Sequence, residues 1–455
     1  MKPGMRLLGP GSTAAALLFG MIFCLAAAYC AGLAWRQSWT IVFYGTLSGW
    51  VAVHVWIHRF TFRRLALIDV LFVLFVSEVL FSLVPHVAHD PAAARFARYL
   101  PFMVVVPYLC GRIMGAPHLR HLAGAAAGGG ILMLALLAID FLRNFETYTQ
   151  YGRWPFFGYN HSALLIGMLL ALALVSLTYR FFAMEGSVSS FWPQLMILVA
   201  AWLIAVALVF VAARGALIAC AVAVSCLAVI SRGHAAPSRA FFLLGLVAVV
   251  MATFVMLPRP QAQFYGNLLT KPDDVLGGAH LSGTDGVRMD DSRARGIEPS
   301  PVLGATSCRP FEEGVNSVAM RWVLYREALA IFLERPWFGV GAARFGRFSC
   351  TGATGFPHST VLQALAELGI VGGGLLYLAL LLSAFVRLGR AALDPTGADR
   401  SRVAGYGLGM MVMYVVADQL YGNYFMATGS NLMIGIAAGM RQQCADGSRS
   451  KRDHS

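Results

Sequence analysis

The chain has 455 residues, of which 58% are hydrophobic and only 13% are charged, and its mean hydropathy is +0.67. A soluble chain carries roughly 25% charged residues, so this composition excludes an ordinary soluble protein and indicates a surface that faces lipid. The net charge is +13, but no basic run is interleaved with aromatic residues as on a nucleic-acid surface. We therefore expect membrane lipids, and no nucleic acid, to contact the basic residues.

Twelve apolar segments are long enough to cross a membrane as helices, which predicts an all-α integral membrane protein. Lys2 and Arg6 precede the first segment, which is too long for a signal-peptide core and is interpreted as an uncleaved helix. The predicted spans are 12–34, 38–57, 66–85, 99–115, 122–141, 162–179, 193–212, 215–231, 240–257, 360–385, 403–420 and 428–440.

The distribution of Lys and Arg predicts the orientation of these spans. With the N-terminus inside, the short inside segments hold most of the basic residues, which places both termini in the cytoplasm. The chain then divides into spans one to nine over 1–257, an outside loop domain over 258–359, spans ten to twelve over 360–440, and a cytoplasmic tail over 441–455.

The outside loop has two unlike halves. Residues 261–316 are rich in Gly, Asp, Ser and Pro and are predicted to be irregular, whereas apolar residues then recur at helical spacing and predict an amphipathic helix over 317–334. Its apolar face packs either on the membrane domain or in a satellite core within the loop. The apolar positions are Val318, Trp322, Tyr325, Leu329 and Phe332.

Two of the eight cysteines, Cys308 and Cys350, lie in this outside loop. In an oxidising bacterial periplasm such a pair forms a disulfide, and we predict one here. The other cysteines fall in spans or in the tail, and no Cys/His spacing resembles a zinc site.

The segment before span ten contains the first candidate for chemistry. Thr360 and Gln363 fit a capping box, which predicts that the helix begins here, with His358 just before its first turn. The positive end of a helix dipole disfavours the imidazolium form, and a neutral histidine can act as a general base. An ordinary loop histidine at a membrane interface is the alternative.

Two arginines are candidate phosphate ligands. Arg214 lies between two spans with almost no loop, and small residues flank it; it is either a fixed cation for a phosphate or a snorkelling arginine. Arg321 lies in the predicted loop helix, where it is either a ligand contact or part of a solvated face.

A further outside segment, 153–161, combines aromatic rings that suit sugar stacking with polar groups that can bond hydroxyls. Its candidates for glycan or acceptor contacts are Arg153, Asn160 and His161, although an interfacial aromatic belt explains the same composition. Three acids within predicted spans are costly in lipid and are often functional in such positions. They are Glu78, Asp140 and Asp418.

These motifs together resemble the O-antigen ligase and polymerase superfamily (Wzy/WaaL type). The resemblance rests on Arg321-Trp322 through Gly339-Val340-Gly341, on Pro357-His358-Ser359 through Gly372, and on Arg214-Gly215-Ala216. In residues it is confined to about 150–161, 212–218 and 318–372, and in architecture it covers the whole chain. The family pattern often has Asn after the histidine, where Ser359 stands here.

The resemblance implies a GT-C-like glycosyltransferase of the bacterial inner membrane, with its active site facing the periplasm. The donor is a sugar chain on undecaprenyl pyrophosphate. Arg214 and Arg321 would bind the pyrophosphate, and His358 would take the proton of the acceptor hydroxyl. We expect no metal and no cofactor, because two arginines can hold the leaving group's charge, and a single displacement inverts the anomeric centre.

Several functions fit this scaffold. We favour an O-antigen ligase that transfers O-antigen to lipid A-core oligosaccharide in lipopolysaccharide biosynthesis. A protein O-oligosaccharyltransferase and an O-antigen polymerase are the alternatives within the superfamily. A polytopic transporter is the alternative of another class, although neither repeated halves nor a pair of interrupted helices is evident.

Overall fold

A computed structural model describes residues 19–24, 26–28, 36–58, 65–115, 118–144, 160–184, 191–211, 213–230, 236–256, 317–349, 356–394, 398–422 and 427–440. Within these ranges the regular structure is entirely helical. Seven of the described helical stretches are long and apolar enough to cross a membrane. The predicted α-helical membrane protein is thereby confirmed, while twelve spans and the direction of crossing stay predictions.

The described helices follow the predicted spans closely, and a further helix lies in the predicted loop. A π-helical segment, Pro101–Val105, joins α3 to α4, and another, Ile370–Leu378, precedes α13. The helices are α1 Arg36–His58, α2 Leu67–Val87, α3 Pro91–Leu100, α4 Val106–Met114, α5 Leu119–Arg143, α6 Asn160–Ala183, α7 Phe191–Phe210, α8 Arg214–Ile230, α9 Ala236–Met256, α10 Ser317–Glu334, α11 Phe345–Phe348, α12 Thr360–Gly369, α13 Ala379–Ala392, α14 Ala398–Tyr421 and α15 Thr428–Gly439.

The short helix α15 is held by close backbone contact with α4. A Cβ added to Gly435 would overlap the carbonyl oxygen of Tyr108, and one added to Gly111 would overlap that of Leu432. Such small residues allow two membrane helices to approach at backbone distance, where dispersion contacts and weak polar contacts are strongest. Helix α15 therefore packs against α4 through glycines rather than through large side chains.

The apolar stretch Thr360–Ala392 contains the predicted span 360–385 and is one of the seven candidate spans, but it is interrupted at Gly369. Gly369 has φ 66° and ψ −160°, which ends α12 and reverses the chain; glycine adopts this conformation readily because it has no Cβ. A Cβ added to Gly373 would lie 2.5 Å from the carbonyl oxygen of Ala364, although nine residues of continuous helix span about 14 Å. Hence α12 folds back against the following π-helix.

A hydrogen bond shows how far α12 folds back. The hydroxyl of Tyr377 bonds the side chain of Thr360, whereas seventeen residues of continuous helix would separate them by about 25 Å. The first residue of α12 therefore lies beside the π-helix, inside the bundle. The sequence did not predict this interruption, because hydropathy is unbroken across Gly369.

The loop module, which we define as residues 317–349, has its own small core. Helix α10 begins and ends at the predicted residues, but its buried stripe is Leu324, Ala328 and Ile331, each 0% exposed, which pack with Val340, Phe345, Phe348 and Ala366. The predicted apolar face is only partly covered, since Trp322 and Leu329 are 45% and 48% exposed while Tyr325 and Phe332 are half-buried. The reason is that α10 packs against the chain that follows it, and this partner selects the face.

Polar contacts fix the loop module to the membrane helices. The carboxylate of Glu367, in α12, accepts hydrogen bonds from the backbone N–H groups of Ala343 (2.8 Å) and Phe345 (3.0 Å). Toward α2, the N–H of Ala342 donates to Ser82 Oγ at 2.9 Å, and Arg347 Nε lies 2.8 Å from Asp90 Oδ2. The module is thus tied to α12 and to the end of α2.

Candidate active site

The start of α12 is capped by Ser359, whose Oγ accepts a hydrogen bond from the N–H of Leu362 at 3.3 Å. The predicted start of the helix is confirmed, but the predicted capping box is wrong. Gln363 donates from Nε2 to Glu367 Oε1 at 3.2 Å, one turn along the helix, and so does not reach back to Thr360. The serine that replaces the family's common asparagine therefore supplies the cap.

His358 immediately precedes this cap in an unusual backbone conformation. Its φ is 59°, in the left-handed region that non-glycine residues seldom occupy, at a cost of roughly 1–2 kcal/mol. The imidazole is half-buried and meets the ring of Phe356 edge to face, with 4.7 Å between centroids. Strain of this kind persists where the surroundings fix the conformation, and it is common at functional sites.

Gln419, in the last turn of α14, holds the chain after His358 in place. Its Oε1 accepts hydrogen bonds from Ser359 Oγ (2.8 Å) and from the N–H of Val361 (3.3 Å), and its Nε2 donates to Thr360 Oγ1 at 2.6 Å. No sequence motif identified this residue. The available signal was its place beside Asp418, at the end of a predicted span.

The same residue connects to the loop module. Tyr325, in α10, donates from its hydroxyl to the backbone carbonyl of Gln419 at 3.1 Å. Burial raises the pKa of the Tyr325 hydroxyl above its ordinary value, and the nearby Arg321 guanidinium acts in the opposite direction. Arg321 lies one helical turn from Tyr325 and is half-buried, so the structure brings it to the end of the bundle where α12 begins.

Arg214 is the first residue of α8 and is also half-buried. A Cβ added to Gly405 would lie 3.3 Å from Ile230, and one added to Gly409 would lie 2.9 Å from Leu227, so α8 and α14 run antiparallel. At equal rise per residue, this register places Arg214 level with the last turn of α14, which contains Gln419. Arg214, Arg321 and His358 therefore lie at one end of the bundle.

The remaining predicted contacts are only partly described. Asn160 and His161 form the first turn of α6, but their side chains, together with Arg153, Cys308 and Cys350, lie outside the described residues. Helix α6 runs parallel to α8, because Cys220 Sγ is 3.8 Å from the carbonyl oxygen of Ala171 and Gly167 faces Ala213. The first turn of α6 is accordingly at the same end as Arg214.

The three acids within the spans have different surroundings. Asp418 accepts a hydrogen bond from Ser430 Oγ in α15 and lies near Tyr377, close to the start of α12. Asp140 accepts a bond from Asn144 Nδ2 at 3.0 Å, which serves the end of α5. Glu78 packs at the π-helix, where its Cγ would lie 3.1 Å from a Cβ on Gly372.

This end of the bundle favours anions. A helix N-terminus carries partial positive charge, and α12 presents such an end within the bundle, although Ser359 and Gln419 already bond its Leu362 and Val361 N–H groups. Two arginines at the same end add full charges that suit phosphate oxygens. His358 lies at the same end and is half-buried, and a histidine in its neutral form accepts a proton as a general base.

Comparison with known families identifies the central part of the chain. Residues 199–377 match the family model described as O-antigen ligase, a range that includes Arg214, Arg321 and His358. No curated protein matches the chain in sequence. Residues 199–377 are therefore similar to the O-antigen ligase family, and this similarity supports the O-antigen ligase and polymerase superfamily.

Proposed function

We propose that the protein is an O-antigen ligase of the bacterial inner membrane. It moves O-antigen polysaccharide from undecaprenyl pyrophosphate to a sugar hydroxyl of lipid A-core oligosaccharide, on the periplasmic face. The observation that carries the proposal is the strained His358 at the start of the folded-back helix α12, at the bundle end that also contains Arg214 and Arg321. The family match over residues 199–377 supports the O-antigen ligase and polymerase superfamily, and the choice of the ligase within it is part of the proposal.

The proposed reaction is a single displacement. The oxygen of the acceptor hydroxyl attacks the anomeric carbon, and the bond from that carbon to the pyrophosphate oxygen breaks as the new bond forms. The hydroxyl proton passes to the neutral imidazole of His358, and the electron pair leaves with undecaprenyl pyrophosphate. Arg214 and Arg321 stabilise the charge that develops on the leaving group, so the proposed reaction needs no metal. Because the reaction is a single displacement, it inverts the anomeric centre.

Gln419 has a positioning role in this proposal. It fixes three consecutive residues, Ser359 to Val361, through its side chain and binds Tyr325 through its carbonyl oxygen. Gln419 thereby positions both His358, the proposed general base, and α10, the helix that contains Arg321, relative to α14. Correct alignment of a base and a leaving-group ligand contributes strongly to rate.

Glycan contacts, localisation and the disulfide complete the proposal. Arg153, Asn160 and His161 are proposed to bond hydroxyls of the glycan or of the acceptor. Both termini are placed in the cytoplasm and the loop in the periplasm, where Cys308 and Cys350 form a disulfide. The protein O-oligosaccharyltransferase and the polymerase use the same donor, so only the acceptor distinguishes them from the ligase.

Reconstitution with defined acceptors tests the function. The purified full-length protein is mixed with lipid-linked O-antigen and lipid A-core in the presence of a chelator, and the products are separated by gel and weighed by mass spectrometry. A joined lipid A-core product supports the ligase. Transfer only to a pilin-like protein acceptor, or only elongation of the lipid-linked chain, would assign the protein to one of the other two activities.

A further inference from the structure

A cavity of about 320 Å³ lies at the end of the bundle opposite the candidate active site. It is formed where α5 begins, α6 ends and α14 begins, and α6 alone separates the two ends by about 36 Å. Neither the proposed reaction nor the family match involves this cavity. Its lining residues are Arg120, Tyr179, Arg180, Ala183, Met184 and Arg402.

Packing fixes two walls of the cavity. Tyr179 stacks on the buried Tyr406, with 4.7 Å between ring centroids, and the Tyr406 hydroxyl is 2.8 Å from Ser176 Oγ. The Arg180 guanidinium lies against the backbone of α5, since a Cβ added to Gly124 would be 2.7 Å from its Nη2. These contacts hold Tyr179 and Arg180 at the cavity, while the side chains of Arg120 and Arg402 are exposed beside it.

The charges around the cavity are of one sign. No acidic residue is among the described residues that line it. Arg180 lies in the last turn of α6, where a cation stabilises the helix dipole. Arg120 and Arg402 lie near the first residues of α5 and α14, where a cation is electrostatically unfavourable. Two helix starts and three guanidinium groups thus converge on one space that an anion would stabilise.

We infer that this cavity binds the phosphate group of an anionic phospholipid. The cavity lies at the ends of membrane-spanning helices, so a headgroup can enter it while the acyl chains remain in the bilayer. Arginine matches phosphate oxygens bidentately, and basic pockets between membrane helices suit anionic headgroups. A zwitterionic headgroup carries its own cation and meets repulsion from the three arginines.

Native mass spectrometry of the full-length protein tests this inference. The protein in mild detergent is mixed with phosphatidylglycerol or with phosphatidylcholine of the same acyl chains, and the bound lipid is counted. We expect retention of phosphatidylglycerol over phosphatidylcholine, and a loss on the order of fivefold for each arginine removed in Arg180→Ala and Arg402→Ala. The control is Arg390→Ala, an exposed arginine outside the cavity, which should leave the preference unchanged.

Three outcomes would overturn the inference. The first is equal retention of both lipids by the wild-type protein, and the second is an equal loss in the control variant. The third is displacement of phosphatidylglycerol by excess inorganic phosphate, which would assign the cavity to a soluble phosphate. Arg180→Lys with Arg402→Lys keeps the charge and should keep part of the preference, which separates a folding defect from a lost ligand contact.

Discussion

Helices α12 and α15 are both short and both lie against a neighbour through glycines, yet their starts differ. Helix α15 begins after Ala427, which makes no side-chain cap, and its position comes from backbone contact with α4. Helix α12 begins after Ser359, which caps it, and Gln419 contacts this cap and the first two residues of the helix. The residue before it, His358, is held in a left-handed conformation.

The comparison shows two ways in which this bundle fixes a short helix. Close glycine packing fixes where α15 lies; its first turn bonds Tyr44 and Asp418 through Thr428 and Ser430, but its N-cap has no side-chain acceptor. Directional hydrogen bonds fix the orientation of a helix end and of the side chain beside it, at the cost of local strain. We therefore expect substitutions at the start of α12 to reduce activity with little effect on stability, and substitutions in α15 to do the reverse.

The largest of these expected effects concerns the two arginines. Arg214→Lys and Arg321→Lys keep the charge but lose bidentate geometry, so each should reduce the transfer rate by about 10- to 150-fold, the equivalent of about 1.5–3 kcal/mol for a hydrogen bond to a charged group. The rate is measured with lipid-linked donor and lipid A-core. Arg326→Lys, on α10 like Arg321, is the control. A wild-type rate for either test variant would remove that arginine from the site.

Gln419→Leu sharpens the comparison at the start of α12. The variant removes the contacts to Ser359, Thr360 and Val361, and we expect kcat to fall about tenfold, for a loss on the order of 1.4 kcal/mol of alignment energy, with little change in KM. Gln419→Glu keeps the hydrogen-bond acceptor and loses the donor, so its kcat should lie between that of the wild-type protein and that of Gln419→Leu.

A matched change elsewhere controls for the loss of an amide in the bundle. Gln194 donates to the carbonyl of Met184 at 3.1 Å, far from the site, and Gln194→Leu should leave kcat unchanged. A Gln419→Leu enzyme with a normal kcat and only a lowered melting temperature would show that Gln419 is merely structural.

Gly435→Ala tests the opposite side of the comparison. The added methyl group would overlap the carbonyl oxygen of Tyr108, so α15 must move away from α4 at a cost of about 1–3 kcal/mol. We expect a lower midpoint in thermal unfolding and a normal transfer rate per folded molecule. Gly45→Ala, which meets nothing within 4 Å, is the control, and an equal change in both variants would contradict the packing argument.

The smallest expected effect concerns the backbone at His358. Because its φ is 59°, His358→Gly should be more stable than His358→Ala by about 1 kcal/mol, measured by thermal unfolding, while both lack activity. Ala343, with φ 60°, offers the parallel test, since Ala343→Gly should shift stability in the same direction and keep activity. Equal stability of the two His358 variants would show that the backbone at this position is not strained.

The sequence predicted features that depend on periodicity and missed those that depend on distant contacts. Hydropathy identified the described spans, and helical spacing identified the bounds of α10. The buried face of α10 was missed because Val340 and Phe345 select it after the chain turns back. The fold-back of α12 was missed because it rests on one dihedral angle, at Gly369.

The candidate site shows the same division. Arg214, Arg321 and His358 were identified from local motifs, each within a few residues of a helix start or a patterned helix. Gln419 could not be found in this way, since its partners lie about 60 and 94 positions away in the sequence. Gln419 makes its hydrogen bonds only because α14 packs against α12 and α10 in the folded protein.

The most direct test of the proposed catalytic start of α12 is His358→Ala in cells that lack their own O-antigen ligase. Wild-type protein and the variant are produced at equal levels, and the lipopolysaccharide is separated by gel. We predict smooth lipopolysaccharide with the wild-type protein and only the unsubstituted lipid A-core form with the variant. Full-length smooth lipopolysaccharide from His358→Ala would contradict the assignment of His358 as the general base.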